Sequence, residues 1–72
     1  MNRENILRRE RMRRRARTFA RQRWSQVDGV YLDMVTDWAD PEGFSRWRVR
    51  IHGNEDAYVM VHNCDGHAEL LP

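Results

Sequence analysis

Ten arginines stand among the first 27 residues, densest in the run Arg8-Arg-Glu-Arg-Met-Arg-Arg-Arg-Ala-Arg17. Only Glu4 and Glu10 oppose them, so this third of the chain carries a net +8. What such a cluster can do is grip anions. A guanidinium is planar, permanently charged and forked, and it meets two oxygens of a phosphate or carboxylate at once. On a nucleic-acid backbone, each neutralised phosphate also releases condensed counterions. Arg8, Arg9, Arg11, Arg13, Arg14, Arg15, Arg17 and Arg21 are therefore the expected polyanion-binding residues, with RNA or DNA as the first expectation. The alternatives are an acidic protein surface, the acidic remainder of the same or a neighbouring chain, or plain solvation of a helix face. That remainder, residues 28–72, sets three Arg against six Asp and three Glu, a net −6. All thirteen basic residues are Arg, a bias that a GC-rich coding sequence also produces.

Three weaker constellations complete the search for chemistry. The segment His62-Asn-Cys64-Asp-Gly-His67 holds Cys and His close together, but structural zinc needs four ligands in paired clusters, and only His52 remains to add one. No metal or cofactor is expected. His62, Glu69 and Arg46 have the types of an acid, a base and a phosphate clamp. A helix on a sheet bearing such residues is also the broad plan of small ribonucleases, toxin-type messenger-RNA interferases among them. No motif fixes the trio, so the expected protein is not an enzyme. The third constellation is a strand face bearing Tyr31, Val35, Arg46, Arg48, Arg50, Tyr58, Met60 and His62. Aromatics and Arg on an open sheet can stack bases. Asp33, Asp37 and Glu69 beside them would repel phosphate, so Tyr31, Arg46, Arg48, Arg50, Tyr58, Met60 and His62 are expected to form a protein or dimer interface.

The elements that must position these groups can be read from periodicity. Phe44-Ser-Arg-Trp-Arg-Val-Arg-Ile51 alternates without a slip: Ser45, Trp47, Val49 and Ile51 on one face, Phe44, Arg46, Arg48 and Arg50 on the other. Residues 3–27 read as one helix of good helix formers, with Asn2 a candidate N-cap and Asp28-Gly29 a C-terminal stop. Met12, Ala16, Phe19, Ala20, Trp24 and Val27 fall within an arc of about 140°, wide enough to dock on a core. Residues 1–10 lack that stripe and are expected to project or fray. Val30–Trp38 is expected as a strand. A four-residue turn Asp40-Pro41-Glu42-Gly43 then pairs Trp38 with Ser45, Thr36 with Trp47, Met34 with Val49 and Leu32 with Ile51, and sets Asp37 against Arg46 and Asp33 against Arg50. A loop 52–56 pairs Val49 with Val59 and Trp47 with Val61. A type I′ Asp65-Gly66 turn pairs Val61 with Leu70 and His62 with Glu69.

The expected fold is α+β: one Arg-rich helix packed on a four-stranded antiparallel meander, in a single small domain of residues 1–72, with 11–27 as the docking helix and 30–71 as the sheet. The helix is expected to cover Leu32, Met34, Trp38, Trp47, Val49, Ile51, Val59, Val61 and Leu70. A chain this short draws only about 3–5 kcal/mol from one core, so a partner or a second copy would add stability. One cysteine, Cys64, excludes an internal disulfide framework and fits a reducing compartment or simple indifference to redox. No apolar run is long enough for a bilayer, and a soluble, cytoplasmic protein is expected.

The arginine run resembles the RNA-binding peptides that open lambdoid phage N antiterminators. Arg8, Arg9, Glu10 and Arg11 match their Arg-Arg-Glu-Arg cluster, and Phe19 is the candidate for the aromatic they place further along the helix. The resemblance covers about a quarter of the chain and implies an RNA-binding helix. The N proteins are otherwise disordered when free, whereas this chain reads as folded through Leu70. The runner-up is a protein–protein module of the kind small phage or plasmid genes encode, docking through the open sheet face.

Overall fold

The structure is a computed structural model in which residues 3–72 are described; the candidate N-cap Asn2 lies outside them. The chain forms α1 (Arg3–Arg23), β1 (Val27–Val35), β2 (Phe44–Ile51), β3 (Ala57–His62) and β4 (Ala68–Leu70). The strands make one antiparallel sheet in the order β1-β2-β3-β4, and α1 packs on one of its faces. This is the α+β arrangement expected from the periodicities.

The helix face that docks is short and small. Met12, Ala16 and Ala20 are buried, and Phe19 and Trp24 pack beside them. Two alanines one turn apart let the helix axis come close to the sheet, so Trp47, Val49, Val59 and Val61 are sealed beneath it. No described residue before Met12 is buried. The helix ends four residues earlier than expected, its last backbone bond running from Trp24 N to Ala20 O. Val27 belongs to β1, opposite Ile51, and Gly29 sits in the strand opposite Arg50 without a positive φ. Val27 fits both the helical stripe and the inward strand face, and pairing with Ile51 decides for the strand.

β1 departs from strict alternation at two points. The register shifts between Val27 and Gly29 and between Leu32 and Met34, so Asp28 and Asp33 are extra residues. Each bulge swaps the side that follows it. Val27, Val30 and Val35 therefore turn toward the helix, while Tyr31 and Met34 turn away. The expected pairs Trp38–Ser45, Thr36–Trp47, Met34–Val49 and Leu32–Ile51 are replaced by Val35–Ser45, Leu32–Trp47, Val30–Val49 and Val27–Ile51. Met34, Leu32 and Leu70 are left substantially exposed, the first because the Asp33 bulge turned it outward, the others because they lie on outer strands.

The connection between β1 and β2 spans 36–43. The Asp40–Gly43 turn is present, with Gly43 N on Asp40 O at 3.0 Å, but an Asp37–Asp40 turn precedes it. Trp38 is thus on no strand; it folds back from the loop into the core against Trp47, ring centroids 6.5 Å apart. β2–β3 pairing is displaced by two residues from expectation, Val49 meeting Ala57 and Trp47 meeting Val59. Ile51 is still paired with β1, and His52 N donates to Gln26 O, which keeps that end of β2 away from β3. The β3–β4 connection is not a two-residue type I′ turn. His62 N donates to His67 O, Gly66 alone takes a positive φ (72°), and Val61 pairs with Ala68.

Candidate nucleic-acid interface

The fold sorts the eight singled-out arginines into two groups. Arg8 is held by Glu4 at 2.6 Å, one helical turn back. Arg13 stands 3.9 Å from Glu10 and donates through Nε to Val30 O on the outer edge of β1, so its guanidinium is tied to the sheet. Arg9 lies beside it on the β1 flank. Arg11, Arg14, Arg15, Arg17 and Arg21 have no ion-pair partner among the described residues. Four of them, Arg11, Arg14, Arg15 and Arg21, are exposed.

Three of these converge. Arg11, Arg14 and Arg15 rim an open groove of about 600 Å³ between α1 and the β3–β4 turn, with Phe19 at its inner wall and Gly66 and His67 facing them. Arg15 lies against the turn. A Cβ at residue 66 would stand 3.0 Å from Arg15 Nε and 3.4 Å from Cγ and Cδ, so the glycine supplies both a positive φ and room for the arginine. Arg23 caps Phe19, its Cζ 4.6 Å from the ring centroid. Asp65, which lines an adjoining depression with Arg11 and Arg15, accepts the His67 backbone N–H at 2.9 Å. That hydrogen bond, the largest influence, holds its carboxyl below the ordinary value; desolvation opposes it, and a bond from Cys64 and the nearby imidazoles of His67 and His62 assist it.

The sheet face away from α1 carries the second set. Tyr31, Arg48 and Tyr58 lie in one cross-strand row, Met34, Arg46 and Met60 in another, with Arg50 opposite Gly29 and His62 opposite Phe44. Val35, expected here, packs into the core instead. The expected ion pairs are re-sorted by the bulges: Asp33 pairs with Arg46 at 2.6 Å, not with Arg50, and Asp37 is drawn into its loop, accepting from Ala39 N. Arg48 lies 3.6 Å from Asp56 and 5.4 Å above the Tyr31 ring. His62 Nε2 meets Glu69 Oε1 at 2.8 Å, though Glu69 is paired through its backbone with Met60 and the contact is diagonal. Arg46 is paired through its backbone with Met60 and not with His62, and its guanidinium is bound to Asp33. Among the described residues no three His, Cys, Asp or Glu side chains gather as a metal site would require, and no helix is long and apolar enough to cross a membrane.

Sequence reasoning missed Gly66 and His67 as groove residues. His67 was visible only as a neighbour of Cys64, because nothing local shows that its turn comes to rest against Arg11 and Arg15. Compared with known protein families, curated proteins and solved structures, the chain matches none.

Proposed function

We propose that this protein is a non-enzymatic binding protein whose α1 engages RNA or DNA along the flank facing β4. The observation that supports this reading is the convergence of Arg11, Arg14 and Arg15 on one open groove with no carboxylate paired to any of them among the described residues. Arg17 and Arg21 extend the same charge toward the helix C-terminus. Unpaired guanidinium groups need give up no carboxylate to bind phosphate, their planar forks suit it, and binding releases its counterions. The test is fluorescence anisotropy with labelled single-stranded RNA and duplex DNA over a salt series. Affinity falls steeply with salt, and Arg14→Ala or Arg17→Ala each reduces the log–log slope by about 0.7–0.9. Binding that ignores salt, or no binding, rejects the reading.

A second reading, a protein–protein or homo-oligomer interface on the open sheet face, has its own support. Tyr31 and Tyr58 are 43% and 39% exposed there. Arg46 and Arg48 are already compensated by Asp33 and Asp56, which suits a protein surface better than a phosphate backbone. Tyr58→Ala with Arg48→Glu abolishes partner capture or self-association with the circular dichroism unchanged if that face docks; unchanged association removes it.

A further inference from the structure

The groove between α1 and the β3–β4 turn is not uniform along its length. Arg11, Arg14 and Arg15 line its end toward the helix N-terminus, and Thr18, Phe19 and Gln22 line the other. At 100° per residue, Arg11, Arg15, Thr18 and Gln22 fall within an arc of about 60°. One helix stripe thus changes from cationic to neutral as it runs along the groove. Phe19 lies on the core side of that stripe, half-buried against the core cluster with Arg23 over its ring. No residue lining the groove carries a carboxylate. We infer that the groove takes single-stranded nucleic acid, with phosphates on Arg11, Arg14 and Arg15 and an unpaired base lodged against Phe19 beside Thr18 and Gln22.

This rests on the reading of α1 as a nucleic-acid-binding helix and narrows its ligand to an unpaired strand. A nucleotide joins a charged phosphate, through one sugar, to a flat base that is apolar on its faces and polar at its edge. The groove repeats that order. Phe19 follows Arg15 by four residues, about 6 Å along the helix axis. Its ring packs on the core below the arginine rim, so a base reaches it only by entering the groove. In a duplex the bases are stacked on their neighbours and paired at their edges. Only the duplex backbone would then meet the rim, as in sequence-independent phosphate contact, and the neutral end would stay empty. An unpaired base gains the aromatic contact, which tolerates any sequence because every base has a π-face. The Thr18 hydroxyl and the Gln22 amide each offer both a donor and an acceptor, so they can meet the edge of any base. Both side chains are exposed.

The experiment compares two fluorescein-labelled strands of equal length at fixed ionic strength, an oligouridylate and an abasic strand with the same phosphates and no bases. The full chain is expected to bind the oligouridylate about tenfold more tightly, the range of one base stacked on an aromatic ring. Phe19→Leu brings the oligouridylate down to the affinity of the abasic strand, with circular dichroism showing that the variant is folded. Thr18→Ala/Gln22→Ala, at exposed positions, reduces the preference to about threefold or less and carries the test if Phe19→Leu does not fold. Alongside, the Phe19 ring resonances shift when oligouridylate is added and stay in place with the abasic strand. Equal, salt-dependent affinity for both strands, or a base preference retained in the variants, overturns the inference and leaves the nucleic-acid reading of α1 standing. Salt-dependent binding of neither strand overturns both.

Discussion

Ser45 shows how a single hydroxyl makes this core possible. It is fully buried at the helix-facing side of β2, where its Oγ accepts Trp47 Nε1–H at 2.7 Å. Ser45→Ala keeps the volume but leaves the indole donor buried without a partner, and is expected to cost about 1–3 kcal/mol in urea unfolding. A loss below a few tenths of a kcal/mol would mean that the indole finds another acceptor. Asn63 acts comparably on the 36–43 loop. Its Nδ2 donates to Asp37 O at 2.7 Å and Asp40 O at 3.0 Å, and its backbone N donates to Gly43 O at 3.0 Å. Gly43 is glycine because a Cβ would run into Thr36 Oγ1, with Asn63 Nδ2 and Asp37 O also crowding it. Asn63→Ala is expected to lower amide protection across 36–43 and to unseat Trp38, seen as a red shift of tryptophan emission; an unaltered spectrum would rule the clamp out. Asp65 gives a pH signature. Its folded-state carboxyl titrates below the unfolded value of about 3.9, so its contribution is present above that value and is lost as pH falls through the folded one. Asp65→Asn should flatten the acid limb of the stability curve below about pH 4, and an acid limb identical to that of the parent chain would refute this.

At the scale of elements, what could be read in advance was what repeats. β2 alternates along its whole length, and the structure buries Ser45, Trp47, Val49 and Ile51 as that pattern requires. The stripe Met12, Ala16 and Ala20 was legible for the same reason. β1 was legible as a strand but not in register, because an aspartate at a bulge looks like any polar strand position. Asp28 and Asp33 each add one residue, and Trp38, counted as the end of a strand, belongs to a loop that buries it. The arginines of the site were plain from their density, but the groove was not, since it exists only where Gly66 and His67 come to rest beside Arg15. The register itself is testable. A double-mutant cycle of Asp33→Ala with Arg46→Ala should show coupling of up to about 1 kcal/mol, modest because both side chains are partly exposed. The cycle of Asp33→Ala with Arg50→Ala should show none. Coupling in the second and not the first would return β1 to unbulged pairing.

Across the whole molecule, charge is divided between two faces that meet at the sheet. The outer side of α1 holds arginines without paired carboxylates, whereas on the open face Arg46 and Arg48 lie against Asp33 and Asp56, with Tyr31 and Met60 among them. Equal numbers of arginines on the two faces are therefore not equivalent toward a polyanion. A phosphate approaching Arg46 or Arg48 must displace or tolerate a carboxylate already within 4 Å, and like charges held that close oppose it. Approaching Arg14 or Arg21 it meets no such anion. Two triple variants put this to a single measurement. Arg14→Ala/Arg17→Ala/Arg21→Ala should weaken oligonucleotide binding at low salt by at least about tenfold and reduce the salt slope by about 2–3. Arg46→Ala/Arg48→Ala/Arg50→Ala should change the affinity by less than about threefold, because the carboxylates it releases offset only part of the long-range potential. If the second variant lost as much affinity as the first, the sheet would be carrying the ligand, and the polyanion would have to cross the row of Tyr31, Arg48 and Tyr58 and not the flank of α1.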